Sequence, residues 1–434
     1  MHFEALIEAL GLPDSIKDVL LSYERLYASN FLDEIEGLRD IKTAPTTHEK
    51  LKRTLEDPNG FKMLYIFIKA IQQNHQVYQD LEISDSIYIE TYKALPRFIN
   101  EYFKETGIYV FERDWWAYRQ VAMTIFRIGE LEYELTTEEN VPIISIHIPS
   151  DSRLTMVRIE TSLRLARLFF NSRFQDYQNA LMVSHTWLLS PALKGLLKPS
   201  SNILNFQNYF EIDQVFETDN SFLHWVFHTK EQNPNLLEAK TTLQRQIQDH
   251  LLKGGLVGAA KGTIDSNTYK YLLVKPNASH EHEVMLIKTE LQKEGAYNGT
   301  SDLDTYDDYQ AWLNSLNNPK IDTVQTTQYL LVDKDHIIYG FVHIRHELDD
   351  ELKETYGHVS VTIRPVFQNK GFAKLALTLA LEKLKVLGQS VIMVSCEETL
   401  EASIRTIESC LGIYQRTTFD AYIEKPVRVY QIRI

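Results

Sequence analysis

The 434-residue sequence contains only two cysteines, Cys396 and Cys410. Two thiols cannot build a disulfide scaffold or a Cys-x-x-Cys metal cluster, so we predict neither, and we expect no bound metal. No stretch approaches the roughly 20 apolar residues that a membrane helix needs. The first residues are not a basic segment followed by an apolar one. We therefore expect a cytoplasmic protein that does not bind a membrane.

Positive charge is also scarce, because 45 Lys and Arg residues oppose 59 Asp and Glu residues, for a formal charge of −14. This balance argues against a nucleic-acid partner bound through a basic face, and it weakly favours a cationic ligand. Hydrophobic residues make up 44% of the chain and charged residues 24%, which is typical of globular proteins. At roughly 100–200 residues per domain, the length predicts two or three domains.

The apolar pattern divides the chain into a helical beginning and two mixed segments. Residues 1–120 show apolar stripes at helical spacing. The pair Trp115-Trp116 near the end of this region is interpreted as core, because large aromatic side chains dominate core packing. We predict a helical N-terminal region here.

Residues 121–252 change to the alternation of strands, in the order strand, strand, helix, strand, short helix, strand and strand. Phe210–Phe216 and Phe222–His228 are predicted as the last two strands. The run Lys253–Gly262 is rich in glycine but follows a helix and lacks the spacing of a phosphate loop. We interpret residues 253–267 as a linker.

Residues 268–434 begin with a strand, two helices and a hairpin, and they predict a mixed α/β sheet with a helix between two later strands. The informative stretch is a strand at His358–Ile363, a loop at Gln368–Ala373 and a helix that continues to Leu387. The free amides at the start of a helix attract anions, and Gly371 lets the backbone approach a ligand. A diphosphate would suit this loop.

This segment resembles the GNAT (GCN5-related N-acetyltransferase) superfamily, whose coenzyme A loop reads Gln/Arg-x-x-Gly-x-Gly/Ala after a strand. Gln368, Gly371 and Ala373 match the loop, and Ile363-Arg364-Pro365 matches the strand end. The resemblance implies that acetyl-CoA lies along the strand with its diphosphate in the loop. The residues that it assigns to the co-substrate are Val361, Ile363, Gln368, Asn369, Lys370, Gly371, Phe372, Ala373, Lys374 and Ser403.

The resemblance also implies direct attack of an amine on the thioester, with no covalent enzyme intermediate. His358, Glu397 and Tyr414 are the candidate proton-transfer groups, and a purely structural role is an equal alternative for each. Relatives often carry Asn three residues before the serine that corresponds to Ser403, whereas Leu400 stands there in this sequence. This difference motivates a second hypothesis, a non-catalytic acyl-CoA-binding or regulatory protein.

The earlier segment resembles a bacterial family of two-part N-acyltransferase-like proteins in three phrases, Ser145–Leu154, Ser184–Leu193 and Ser200–Gln207. The loop after His147-Ile148-Pro149 has no Gln-x-x-Gly-x-Gly pattern, and the carboxylate of Asp151 would repel a diphosphate. We interpret residues 121–252 as a GNAT-like domain with a degenerate cofactor loop.

The resulting prediction is an α/β protein with tandem GNAT-like folds behind a helical N-terminal region. We expect its C-terminal domain, residues 268–434, to transfer an acetyl group from acetyl-CoA to a small-molecule or peptide amine. The negative charge mildly favours a cationic acceptor, such as a polyamine, an aminoglycoside or a lysine-like amine.

Overall fold

The computed structural model describes residues 1–295, 297–317, 324–421 and 423–434. Helices and strands are mixed along the chain, which confirms the predicted α/β class. The helices are α1 (Phe3–Leu10), α2 (Asp14–Tyr27), α3 (Leu32–Arg39), α4 (Ala44–Thr54), α5 (Phe61–Asp80), α6 (Asp85–Tyr92), α7 (Ala94–Thr106), α8 (Asp114–Val121), α9 (Met156–Arg173), α10 (Leu193–Leu196), α11 (Asn202–Gln207), α12 (Ser221–Phe227), α13 (Thr242–Leu252), α14 (Glu281–Glu294), α15 (Tyr309–Asn317), α16 (Asp350–Thr355), α17 (Phe372–Val386) and α18 (Glu401–Ser409).

The strands follow the same chain order. They are β1 (Ile125–Ile128), β2 (Leu131–Glu138), β3 (Val141–His147), β4 (Leu181–Thr186), β5 (Phe210–Phe216), β6 (Ala259–Ile264), β7 (Tyr271–Val274), β8 (Thr326–Asp333), β9 (Ile338–Arg345), β10 (Val359–Ile363), β11 (Val391–Glu397), β12 (Ile413–Asp420) and β13 (Lys425–Arg433).

The chain forms two compact units. Unit 1 contains Met1–Ile128, Glu132–Leu135 and Val394–Arg433, and unit 2 contains Gly129–Leu131, Thr136–Met393 and Ile434. These units do not follow the predicted domain limits, which stay a prediction.

The helical part of unit 1 packs around α5, whose side chains are buried on most of its circumference. Ile66, Phe67 and Ile68 are successive residues of this helix and all three are fully buried, as expected for a central core helix. The side chain of Ser84 accepts a hydrogen bond from the backbone of Ile87 and so caps α6. The predicted helical beginning is confirmed.

The prediction that the tryptophan pair belongs to the core is wrong. Trp115 is 54% exposed, and Trp116 packs under the guanidinium of Arg119, whose Cζ lies 4.2 Å from the ring centroid. The reason is the helical period: Ala117 and Val121, one turn apart on α8, face inward, so the side of α8 that carries the tryptophans faces outward.

The first sheet of unit 2 contains β3, β4, β6 and β5 side by side in that order. β3 and β4 run parallel, with Ser145 opposite Val183, while β6 is antiparallel to both β4 and β5. A parallel pair requires a crossover, which α9 provides between β3 and β4. The strand–helix–strand order predicted from the sequence is confirmed here.

Two predictions in this region are wrong. The expected strand Phe222–His228 is the helix α12, because Phe222, Leu223 and Val226 point together into a core with Ile247 and Val257. Part of the expected linker, residues 259–264, is the strand β6 in the sheet interior.

The second sheet of unit 2 is fully antiparallel, in the order β10-β9-β8-β7. The predicted hairpin of β8 and β9 is confirmed, and Leu330 faces Phe341 across it. Trp312 of α15 is completely buried against this hairpin and donates its indole N–H to the carbonyl of Thr300 at 3.1 Å. Helices α14 and α15 therefore cover one face of the sheet.

A third sheet has the order β11-β13-β12, and its residues from Val394 to Arg433 belong to unit 1. β12 and β13 form an antiparallel hairpin in which Tyr414 faces Tyr430. β13 lies in the middle of this sheet, between β11 and β12.

Candidate functional site

Strand β10 is the edge of the antiparallel sheet, and half of its backbone groups have no strand partner. Ser360 pairs with His343 and Thr362 with Phe341, and the amide of Arg364 continues the ladder to Tyr339 at 2.9 Å. Hydrogen bonding alternates along an antiparallel strand. The backbone groups of Val361 and Ile363 therefore point to the unpaired edge, where they can bind a ligand.

The turn after β10 is fixed by the guanidinium of Arg364, whose side chain is 12% exposed. Arg364 donates to Glu283 at 2.7 Å and to Glu290 at 2.8 Å, both on α14, and also to the carbonyl of Ile338. The Nε2 of Gln368 donates to the carbonyl of Ile363 at 3.2 Å and closes the turn. Arg364, which matched the motif in the sequence, is thus occupied by two carboxylates and positions the loop.

The loop that follows presents a row of unpaired amides. The first helical bond of α17 is from the N–H of Leu375 to the carbonyl of Gly371, at 3.2 Å. Within the described chain, the N–H groups of residues 369–373 have no acceptor. Asn369 and Gly371 have φ angles of 59° and 99°, a backbone geometry that turns successive N–H groups into a concave anion site.

Aromatic side chains hold this loop in place. The ring of Phe372 stacks on Tyr339, with centroids 4.2 Å apart, and meets Tyr271 edge-on at 5.8 Å. Because Phe372 is buried at the first position of α17, the start of the helix is anchored to the sheet. The predicted co-substrate residue Phe372 therefore positions the amides through its side chain.

Two lysines add positive charge to the loop. Lys370 is exposed, and its Nζ donates to the carbonyl of Val366 at 2.7 Å. Lys374 is half-buried on the first turn of α17, one residue after Ala373. The structure thus brings the predicted residues 361, 363 and 368–374 together on one strand edge and one helix start.

His358 lies immediately before β10 and joins it to the start of β11. Its backbone N–H donates to the carbonyl of Met393 at 2.7 Å, and its Nδ1 accepts from the N–H of Met393 at 3.0 Å. Since Nδ1 accepts, the ring proton sits on Nε2. Burial lowers the pKa of this imidazole, so it is neutral near pH 7. The geometry gives His358 a structural contact, and its catalytic role stays a prediction.

The other predicted residues of the site lie in unit 1. The carboxylate of Glu397 accepts from Thr399 at 2.7 Å and pairs with Lys425 at 3.0 Å, and these two partners hold its pKa below the usual range. Tyr414 is 49% exposed, and its hydroxyl lies 3.0 Å from that of Thr417.

Ser403 is half-buried in the first turn of α18, where its N–H donates to the carbonyl of Leu400 at 2.9 Å. The proposed roles of Glu397, Tyr414 and Ser403 stay predictions.

In the first GNAT-like segment, residues 121–252, the loop between β3 and α9 is filled by a carboxylate of the chain itself. Glu130 is 8% exposed and accepts from the N–H of Arg153, while its other oxygen lies 3.2 Å from the guanidinium of Arg158. The amides of Ser152 and Thr155 donate to carbonyls within the same loop. Donors that could bind a phosphate at this loop are thus used internally, unlike those of residues 369–373.

A buried ionic cluster links α9 to the second sheet, and sequence reasoning missed it. Glu160 is completely buried and accepts from the N–H groups of Lys270 and Tyr271 at 2.7 and 3.2 Å. Arg164 donates to Glu160 at 2.9 Å and to Glu382 of α17 at 2.6 Å. In the sequence, the only indication of this cluster is that Glu160 and Arg164 are four residues apart on a helix. Such pairs usually lie on the exposed face of a helix, so the spacing does not predict a buried cluster.

A second group missed by sequence reasoning lies on one face of β8, β9 and β10. Gln328, His343 and Ser360 are opposite one another across the three strands. Ser301 donates to Gln328 at 2.6 Å and lies 3.4 Å from Nδ1 of His343. Nε2 of His343 is buried without a partner among the described residues, and burial lowers its pKa to about 4.

Residues 1–295, 297–317, 324–421 and 423–434 contain neither a metal-binding cluster nor a membrane-spanning helix. In those ranges, no three His, Cys, Asp or Glu side chains are grouped so that they could hold a metal ion. None of the helices described there combines the length and the apolar composition of a membrane span.

Three family models match consecutive parts of the chain. The N-acyltransferase N-terminal domain matches residues 1–123, the GNAT-like C-terminal domain matches residues 125–264, and the acetyltransferase (GNAT) family matches residues 290–413. Together they follow the tandem arrangement that the sequence resemblance suggested.

Solved structures include similar folds. An acyltransferase in complex with decanoyl-CoA and teicoplanin has 20% identity and a TM-score of 0.45, over 61% of this chain and 99% of that chain. The spermidine N-acetyltransferase from Vibrio cholerae in complex with CoA and spermine has 14% identity and a TM-score of 0.30, over 38% of this chain and 95% of that chain. No curated protein matches the sequence.

Proposed function

Because this chain belongs to the GNAT superfamily as a tandem acyltransferase, we propose that residues 268–434 transfer an acetyl group from acetyl-CoA to an amine. The observation that carries the proposal is the row of unpaired amides at residues 369–373, next to the unpaired edge of β10. The equivalent loop of the first segment has its donors occupied by Glu130 and by its own carbonyls.

The shape of the site suits the parts of coenzyme A. A diphosphate at the amides of residues 369–373 would be bound by several N–H groups and by the positive end of α17. The pantetheine arm has amide groups that can continue the sheet along the edge of β10, at Val361 and Ile363. Lys370 and Lys374 lie on the same loop and helix start and supply charge for the phosphates.

In the proposed reaction, the lone pair of the neutral amine attacks the thioester carbonyl carbon. The C–S bond then breaks, the CoA sulfur leaves as a thiolate that takes a proton, and the ammonium formed on the acceptor loses one. The protein contributes positioning and backbone donors to the developing oxyanion. His358 carries its proton on Nε2 and has Nδ1 occupied, so it is poorly placed to take the proton of the amine.

The test is release of free thiol from acetyl-CoA in the presence of amines, with polyamines, aminoglycosides and lysine derivatives as the first panel. Calorimetric titration with acetyl-CoA is run in parallel. Binding with turnover supports the proposal. Binding without turnover on any amine would favour the regulatory alternative, and absence of binding would contradict both.

The location of the site is tested by Gly371→Asp, with Gly388→Asp as the matched control. Both glycines have positive φ, 99° and 88°, and the structure leaves room for a side chain at each. The strain is therefore similar, but only the Gly371→Asp change would place a carboxylate beside the diphosphate. We expect Gly371→Asp to weaken acetyl-CoA binding about 10- to 100-fold. Equal affinity in both variants would contradict the assignment.

A further inference from the structure

An arginine of the first GNAT-like segment lies against the loop of residues 368–373, which is the proposed diphosphate loop of the second segment, residues 268–434. A Cβ built on Gly371 would be 3.8 Å from Cγ of Arg158 and 3.8 Å from Cγ1 of Val157, so the first turn of α9 borders the loop. All of these residues belong to unit 2. The side chain of Arg158 is 37% exposed, so its guanidinium is accessible to a ligand.

The guanidinium of Arg158 has one partner in the described chain. Its Nη1 lies 3.2 Å from Oε2 of Glu130, and no other group of the described residues accepts from it. Glu130 is itself anchored, because Arg153 donates its N–H to the other carboxylate oxygen. A guanidinium has five N–H donors, so several remain for a phosphate.

The two helices that carry these residues, α9 and α17, begin next to each other at this loop. Val157 lies beside Gly371 at the start of α17, and Arg164, farther along α9, reaches Glu382, farther along α17. The two helices therefore begin side by side and run in the same general direction. Their positive ends combine at the loop, where an anion is favoured.

We propose that Arg158 binds the diphosphate of the CoA thioester held by the second segment, so that the first segment contributes a residue to the co-substrate site. Glu130 fills the first segment's own loop and holds Arg158 beside Gly371. In this arrangement the first segment is a fixed part of the second segment's binding site. This inference rests on the proposed use of CoA.

The test compares Arg158→Ala and Arg158→Lys with Arg173→Ala. Arg173 is the last residue of the same helix, 15 residues away or roughly 22 Å along the axis, so its loss changes the charge equally but far from the loop. CoA and dephospho-CoA, which share the diphosphate, are titrated by calorimetry. Pantetheine, which lacks all phosphates, is measured by ligand-observed NMR and shows whether the rest of the site is intact.

We expect Arg158→Ala to weaken CoA and dephospho-CoA about 10- to 100-fold, Arg158→Lys to weaken them less, and Arg173→Ala to leave them unchanged. Pantetheine binding should be the same in all variants. Unchanged CoA affinity in Arg158→Ala, or an effect on CoA alone and not on dephospho-CoA, would overturn the inference. If the wild-type protein fails to bind CoA, the proposed function fails with it.

Discussion

Removal of the Glu160 carboxylate should be among the most destabilising single changes in unit 2. The side chain is completely buried and accepts from Arg164 at 2.9 Å, from Lys270 at 2.7 Å and from Tyr271 at 3.2 Å. The hydroxyl of Tyr209 also lies 3.3 Å from it. Glu160→Ala would leave a guanidinium that is only 10% exposed without this partner, and two backbone amides without acceptors.

Removing one partner of a buried ion pair lowers the free energy of unfolding by about 3–5 kcal/mol. For a unit of this size, each kcal/mol lowers the thermal midpoint by about 2–4 °C, so we expect a decrease of roughly 6–20 °C. Glu160→Gln keeps the shape and one acceptor oxygen and should lose less. The assay is thermal unfolding measured by scanning calorimetry, because two compact units can unfold in two transitions. Only the midpoint of the unit 2 transition should change.

The control is Glu401→Ala. Glu401 also pairs with an arginine four residues away, Arg405, at 3.1 Å, but the two side chains are 80% and 70% exposed. An exposed helical pair contributes about 0.3–0.5 kcal/mol, so the midpoint should hardly change. If the midpoint of Glu160→Ala is as close to the wild type as that of Glu401→Ala, the buried cluster does not stabilise unit 2 as expected.

Two further predictions concern pH and thiol chemistry. Folding lowers the pKa of His343 from 6.5 to about 4, so the unfolded chain binds more protons between these values and stability falls as the pH drops through that window. At pH 5 the free energy of unfolding is lower by about 2 kcal/mol. In urea titrations, the His343→Asn variant should therefore lose less stability between pH 7 and pH 5 than the wild type. An equal loss in both proteins would contradict this prediction. Burial raises the pKa of Cys396 to about 11, so at pH 8 only about one thiol in a thousand is ionised. Ellman's reagent should label the folded chain slowly and the urea-unfolded chain rapidly, because Cys410 is buried and Cys396 is half-buried with a raised pKa. Rapid labelling of the folded chain would contradict this prediction.

The elements that could be predicted are those with a strong local pattern. The hairpin of β8 and β9 has clear alternation on both sides of a short polar turn, and α17 has helical periodicity between Gly371 and Gly388. The prediction of a strand at Phe222–His228 was wrong because a short apolar run is compatible with a strand and with a helix. Packing against Ile247 and Val257 is what favours the helix here. The strand β6 was hidden by its glycine and alanine content, since its sheet neighbours supply the apolar contacts.

In the candidate site, too, the residues with a local sequence pattern could be predicted and the long-range contacts could not. The residues of the loop could be named from their motif, because a backbone anion site needs a glycine at a defined position. The contact of Arg158 with Gly371 could not, because about two hundred residues of sequence separate them. The contact of Glu130 with the loop at Arg153 could not be predicted either. Glu130 simply follows a turn glycine, and no local pattern indicates that its carboxylate accepts from a loop farther along the chain.

We infer that the co-substrate is bound by the backbone amides of residues 369–373 and not by those of the first segment's loop. Hydrogen–deuterium exchange with and without acetyl-CoA measures this directly, since unpaired amides exchange fast and bound ones slowly. From this inference we expect strong protection of residues 369–373 on addition of acetyl-CoA and little change at residues 150–153. Protection at residues 150–153 with none at residues 369–373 would contradict it.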